Sequence, residues 1–138
     1  MLTLDANIWT AAYDPRDAFH AHSAAFLGAV TRRRLPLYGP AFVVVEVACA
    51  LARRAQSPAA GKDALQTLRA HPLLIFQPLD EHLLAVAAHL GTQQLLRGAD
   101  ALYAATAAIC AAQLISWDDE LIRRAGAVTP TDWLAANP

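Results

Sequence analysis

Charge is scarce in this sequence. Asp, Glu, Lys and Arg make up 17% of its 138 residues, and eleven basic against twelve acidic side chains leave a formal charge of −1. A strongly basic nucleic-acid coat or tail is thereby excluded, whereas a local basic patch is not. Lysine is nearly absent: Lys62 stands alone, so ten of the eleven basic residues are arginines. Only two cysteines occur, Cys49 and Cys110, each isolated within a helical pattern. They supply neither a disulfide framework nor a zinc-ligand cluster and are expected to be buried, reduced thiols, as in a cytoplasmic protein. No window approaches the ~20 apolar residues of a membrane span; the most apolar stretch, Ala101 to Ala112, is bounded by Asp100 and Gln113. The start does not read as an export signal either, because Met1-Leu2-Thr3-Leu4 runs into Asp5 without a cationic leader. The expectation is a cytoplasmic location, with no membrane partner.

What is abundant is apolar mass. The hydrophobic fraction of 56% exceeds the usual roughly 45–50% and excludes disorder. Much of it is alanine, which favours helices and close helix packing. A chain of this length buries roughly two-thirds of its unfolded surface, enough for a core without staples. One globular domain over residues 1–138 is therefore expected. Short β-like runs (Leu2–Leu4, Leu35–Tyr38, Leu73–Phe76, Leu114–Ser116 and, weakly, Val128-Thr129) alternate with stretches bearing apolar residues at three and four spacing. Those stretches are Phe19–Arg34, Phe42–Ala55, Ala64–Arg69, Glu81–Leu96 and Ala99–Ala112. Turn signals such as Gly39-Pro40, Ser57-Pro58, Gly98 and Gly126 fall between them. The alternation predicts a small three-layer α/β domain with a mainly parallel sheet between helices.

Most of the twelve acids lie in turns or first helical turns, where carboxylates cap free amides. Four are placed differently. Asp5 ends the first strand; taken alone it reads as a helix cap, yet it lies on the rim where open α/β sheets bind ligands. Glu46 interrupts Ala41–Val45 and Val47–Leu51, with Phe42, Val43, Cys49 and Ala50 as its helical neighbours. A carboxylate on such a face is normally neutralised, paired with an arginine or bound to a metal. Asp100 opens the helix after Arg97-Gly98. Asp118 and Asp119 follow the strand Leu114–Ser116, one expected to cap the next helix and the other to face the rim. A parallel sheet would bring all four positions to one edge, where mutual repulsion calls for a cation. Mg²⁺ or Mn²⁺ suits carboxylate oxygens, and without a His or Cys grouping zinc does not.

These residues resemble the PIN-domain ribonucleases, particularly the VapC-type toxins of prokaryotic toxin–antitoxin pairs. Leu4-Asp5-Ala6-Asn7-Ile8 is similar to that family's first acidic motif and Val45-Glu46-Val47 to its second. Gly98-Ala99-Asp100-Ala101-Leu102-Tyr103 is similar to the third, and Ser116-Trp117-Asp118 to the fourth, with Ser in place of the usual Thr. The ending Val128-Thr129-Pro130-Thr131-Asp132-Trp133 also resembles the family's. The resemblance implies metal-dependent cleavage of RNA phosphodiesters, a small antitoxin partner and a homodimer. It implies a cage of Asp5, Glu46, Asp100 and Asp118, with Asp119 as the alternative fourth acid. Asn7 and Ser116 would orient the carboxylates, and Glu46 could relay a proton if burial raises its pKa.

An acidic site needs cations to hold a polyanion. Arg97 is the nearest in sequence to these acids, and Arg53 is a second candidate; the other arginine clusters read as solvated helix ends. The histidines show no ligand spacing, and Trp9, Trp117 and Trp133 read as packing residues before base-stacking ones. A phosphoacceptor receiver domain would need a late lysine and a first-strand acid pair, and a haloacid-dehalogenase-type phosphatase would need Asp-x-Asp where Asp5-Ala6-Asn7 stands. Two alternatives stay open at this level: an RNA-processing nuclease that is not a toxin, and an inactive binding module on the same fold.

Overall fold

The computed structural model describes residues 1–138. Leu2, Thr3 and Leu4 are buried without alternation, as a strand covered on both faces requires, and form β1 (Leu2–Leu4) inside a four-stranded sheet. On one side of it lie β2 (Leu37–Pro40) and then β3 (Leu74–Gln77); on the other lies β4 (Gln113–Ile115). The order is β3-β2-β1-β4 and every pairing is parallel, with Leu2 opposite both Leu37 and Gln113. The weak Val128 run contributes a single parallel bridge to Ile115 that prolongs the β4 edge.

Eight helices connect and cover the strands: α1 (Ala6–Tyr13), α2 (His20–Arg32), α3 (Val43–Ala55), α4 (Pro58–Arg69), α5 (Glu81–Gln94), α6 (Gly98–Ile109), α7 (Asp119–Ala125) and α8 (Pro130–Ala136). In α3 the residues Val43, Val47 and Leu51, four apart, form the buried stripe. The alanines of α6 let it lie against β1, β2 and β4, and Ala101 and Ala105 meet Leu83 and Ala87 of α5 in a small separate cluster. The main core is built on Leu4, Ile8, Trp9, Phe26, Tyr103 and Ile115, all nearly inaccessible to solvent.

Three expectations are corrected. First, α4 begins at Pro58, six residues before Ala64, because Ser57 is extended and a proline in the first helical turn starts a helix without losing a bond. Second, α8 was not among the expected helices, although Thr129 accepts a capping bond from the Asp132 amide at 3.0 Å and Pro130 follows it. Third, the thiols are not buried. Cys49 lies two residues from Val47, which carries it to the far side of α3 from the buried stripe, and it is exposed; Cys110, just past α6, is half-buried. Both are unpaired.

The chain leaves β1 toward β2 and β3, then returns across the sheet to place β4 on the opposite flank of β1. The carboxyl ends of β1 and β4 therefore form the switch point of the sheet, where adjacent connections diverge and open a crevice.

Candidate active site

Asp5 leaves β1 at this crevice. It occupies the N-cap position of α1 but makes no capping bond with its side chain. Instead its Oδ2 accepts a 2.6 Å hydrogen bond from the Ser116 hydroxyl at the end of β4. Ser116 in turn accepts from Asn7 Nδ2 at 3.0 Å and from the Asp118 amide at 2.9 Å, while Asn7 Oδ1 accepts from the Trp117 amide. These bonds tie the first turn of α1 to the β4–α7 loop. Glu46 on α3 and Asp100 in the first turn of α6 complete the group, and Asp100 likewise makes no helix-cap bond.

Asp5, Asn7, Glu46, Arg53, Asp100 and Asp118 all line one depression of about 350 Å³. Its carboxylates are out of register with bulk water. Burial, opposed by the Ser116 bond and assisted by the charges of Asp100 and Glu46, pushes Asp5 up to about 6. Burial likewise raises Glu46, against a 2.5 Å hydrogen bond donated by Tyr103 Oη, and raises Asp100 in spite of its ion pair with Arg97. Asp118 behaves oppositely. Burial acts to raise it, but the Glu120 amide and the Arg97 guanidinium outweigh burial and hold it below the ordinary carboxylate value.

Arg97 supplies the counter-charge. Its guanidinium reaches Asp100 Oδ2 at 2.7 Å and Asp118 Oδ2 at 2.6 Å, with Glu120 at 3.7 Å. In this arrangement no three Asp, Glu, His or Cys side chains are grouped to hold one ion. The donors nevertheless suit a hard divalent cation: carboxylate oxygens of Asp5 and Glu46 that burial, and to a lesser extent their acidic neighbours, leave short of counter-charge, and an outer pair, Asp100 and Asp118, that already attracts a cationic side chain.

The PIN domain family model matches residues 2–127. The chain belongs to the PIN domain family. No curated protein matches it significantly, whereas several solved structures share the fold. VapC20 of Mycobacterium tuberculosis, a sarcin–ricin loop cleaving toxin, superposes with a TM-score of 0.79 at 18% identity, over 93% of this chain and 97% of that one. FitAcB of Neisseria gonorrhoeae gives 0.71 at 20% identity, over 95% and 99%. A toxin–antitoxin complex from Klebsiella pneumoniae gives 0.69 at 20% identity, over 94% and 98%.

Within this PIN domain the four acids read from the sequence lie together, and Arg53 lies with them. Asp118 serves twice, capping α7 through Oδ1 and facing Arg97 through Oδ2. Asp119 is exposed in the first turn of α7 and does not line the depression. Arg97 bridges two of the acids. The arginine partner considered for Glu46 is absent; Tyr103 takes that place. Sequence reasoning gave Tyr103 no role, although its position three after Asp100 puts both on one helical face. Glu120, close to Arg97, was also missed, as was the exposed thiol of Cys49 on the depression's wall.

Proposed function

We propose that this protein is a metal-dependent endoribonuclease of the VapC type, the toxin of a toxin–antitoxin pair. The observation that carries the reading is the convergence of Asp5, Glu46, Asp100 and Asp118 on one crevice, where neither Asp5 nor Asp100 is used as a cap. Membership of the PIN domain family and the likeness to VapC20, a toxin that cleaves the sarcin–ricin loop, support it. The likeness to a toxin–antitoxin complex from Klebsiella pneumoniae supports a small antitoxin as partner, and the family resemblance adds a homodimer. Unpaired thiols agree with a cytoplasmic setting. The domain extends over residues 1–138.

Asp5, Asp100 and Asp118 would hold Mg²⁺ or Mn²⁺. When bound, the ion supplies Lewis-acid polarisation of the scissile phosphate and lowers the pKa of an attacking water. The chain's own groups do the remainder. Ser116 and Asn7 fix the Asp5 carboxylate and the loop bearing Asp118. Glu46, with its proton affinity raised and Tyr103 beside it, is placed to accept and pass on a proton. Arg53, on the wall of the crevice and in no ion pair, offers its guanidinium to phosphate oxygens; Arg97 can do so only by giving up part of its pairing with Asp100 and Asp118.

Cleavage of a single-stranded RNA in Mg²⁺ provides the test. Asp5→Asn and Asp100→Asn should each lower the rate at least about 100-fold, the scale of losing one electrostatic contributor to catalysis, while circular dichroism stays native. Chelation with EDTA should do the same to the unaltered protein. Undiminished cleavage by both variants overturns the assignment.

A further inference from the structure

Beside the acid crevice lies a second depression of about 420 Å³, which shares Asn7 and Asp118 with it and is otherwise walled by Phe19, Trp117, Arg54, Asp17, Ala11 and Ala18. Phe19 and Trp117 stack nearly face to face, with ring centroids 4.4 Å apart and planes inclined by 15°. Trp117 is held on two sides: its indole N–H donates to Ser23 Oγ at 2.9 Å and its amide donates to Asn7 Oδ1. Phe19, in contrast, is 44% exposed. It occupies the N-cap of α2, where Ser, Thr, Asp or Asn would be favoured; the Asp17 carboxylate instead takes up the Phe19 amide at 2.8 Å. The chain thus presents an aromatic face to solvent where local structure asks for a small polar residue.

We propose that the Phe19–Trp117 stack is a base-stacking subsite, on which the outer face of Phe19 takes a nucleobase of single-stranded RNA next to the phosphate held at the acid crevice. This deepens the ribonuclease reading and rests on it. Three features favour a nucleobase over an apolar protein segment. The platform is continuous with the acid crevice through Asn7 and Asp118. Beside its apolar residues its wall carries an ion pair, Asp17 and Arg54 at 2.6 Å, together with Asn7 and Asp118. Arg53, adjoining on α3, is exposed and makes no ion pair, which leaves its guanidinium free for a phosphate. A base offers a π-face of any sequence to such a ring, and its phosphates meet the cations.

The test is fluorescence anisotropy with a labelled single-stranded RNA of mixed sequence in EDTA, together with KM and kcat in Mg²⁺. Phe19→Ala should weaken binding about tenfold, the effect of one base–aromatic stack, and raise KM with kcat within about twofold. The slope of log Kd against log salt should stay unchanged, because no charge is removed. Phe19→Leu, which keeps the apolar cover over Trp117, should lose as much, and Phe19→Trp should restore binding. Binding by Phe19→Ala or Phe19→Leu equal to that of the unaltered protein overturns the proposal and leaves the stack to a protein partner. An equal loss on an abasic oligomer overturns it too, since the contact is then not with a base. If the unaltered protein binds RNA through Phe19 but does not cleave it, the subsite stands and the nuclease reading falls.

Discussion

At pH 7 the Asp5 carboxylate is ionised in both the folded and the unfolded chain, but only the folded chain holds it out of water beside Glu46 and Asp100. Its pKa rises from 3.8 to about 6 on folding. The folded state therefore binds the proton more tightly, and metal-free stability is greatest below pH 4 as far as this group is concerned. It declines as the pH rises through about 6. At roughly 1.4 kcal/mol per pKa unit the ionised group costs about 2–3 kcal/mol at pH 7. Asn has the same shape and carries no charge, and its carbonyl oxygen can still accept from Ser116. Asp5→Asn should thus raise stability by about 1–3 kcal/mol in EDTA at pH 7, and much less at pH 4, as read by urea denaturation. A loss of stability at pH 7 would show that the carboxylate is a structural asset. At this scale the sequence disclosed which residue types would meet, but not all of their partners. Glu46 stood out because a charge interrupts an apolar run. Its bond to Tyr103 depends on how α6 lies against α3, which no local pattern encodes.

Helix pairing is set by small residues. Gly61 of α4 faces α3 so closely that an added Cβ would stand 2.8 Å from the Ala48 carbonyl oxygen and 2.9 Å from Ala52 Cβ. Two effects of Gly61→Ala oppose each other. Alanine gains about 1 kcal/mol in helix propensity, while overpacking costs about 1–3 kcal/mol when the obstructing atom belongs to a backbone that has no side-chain rotamer to adjust. The second should win, lowering stability by up to about 2 kcal/mol and the melting temperature by up to several degrees; a higher melting temperature would mean that α3 and α4 slide apart without cost. This contact bears on the crevice, because α3 carries Glu46 and Arg53 into it. Elements were legible where periodicity was long, as in α3, α5 and α6. The reading failed at Pro58, where a residue taken as a break is a helix start, and at α8, whose Thr129-Pro130 cap was visible but whose helix is only two turns long.

For the whole molecule, a formal charge of −1 conceals an uneven distribution. Four of the acids line one crevice, while Arg33 lies 5.6 Å from the centre of the Trp133 ring and Arg124 donates to backbone carbonyls at the end of α5. The parallel sheet was legible because each strand is a short apolar run between helices. The pairing of Phe19 with Trp117 was not, since it joins the start of α2 to the β4–α7 loop. A concentrated negative crevice stores unfavourable charge that a divalent ion would relieve. A ligand at 100 times its Kd stabilises the folded state by about 2.7 kcal/mol, so saturating Mg²⁺ should raise the melting temperature by roughly 5–10 °C at pH 7.5. The ion binds only ionised carboxylates. Because Asp5, Glu46 and Asp100 all titrate above their ordinary values, protons should displace it early, and most of that shift should be gone at pH 5. Differential scanning calorimetry at constant ionic strength, with NaCl replacing MgCl₂ in the control, measures both. Asp100→Asn should abolish most of the shift at pH 7.5. Equal shifts at the two pH values, or an Asp100→Asn protein that responds like the unaltered one, would place the Mg²⁺ effect outside the crevice.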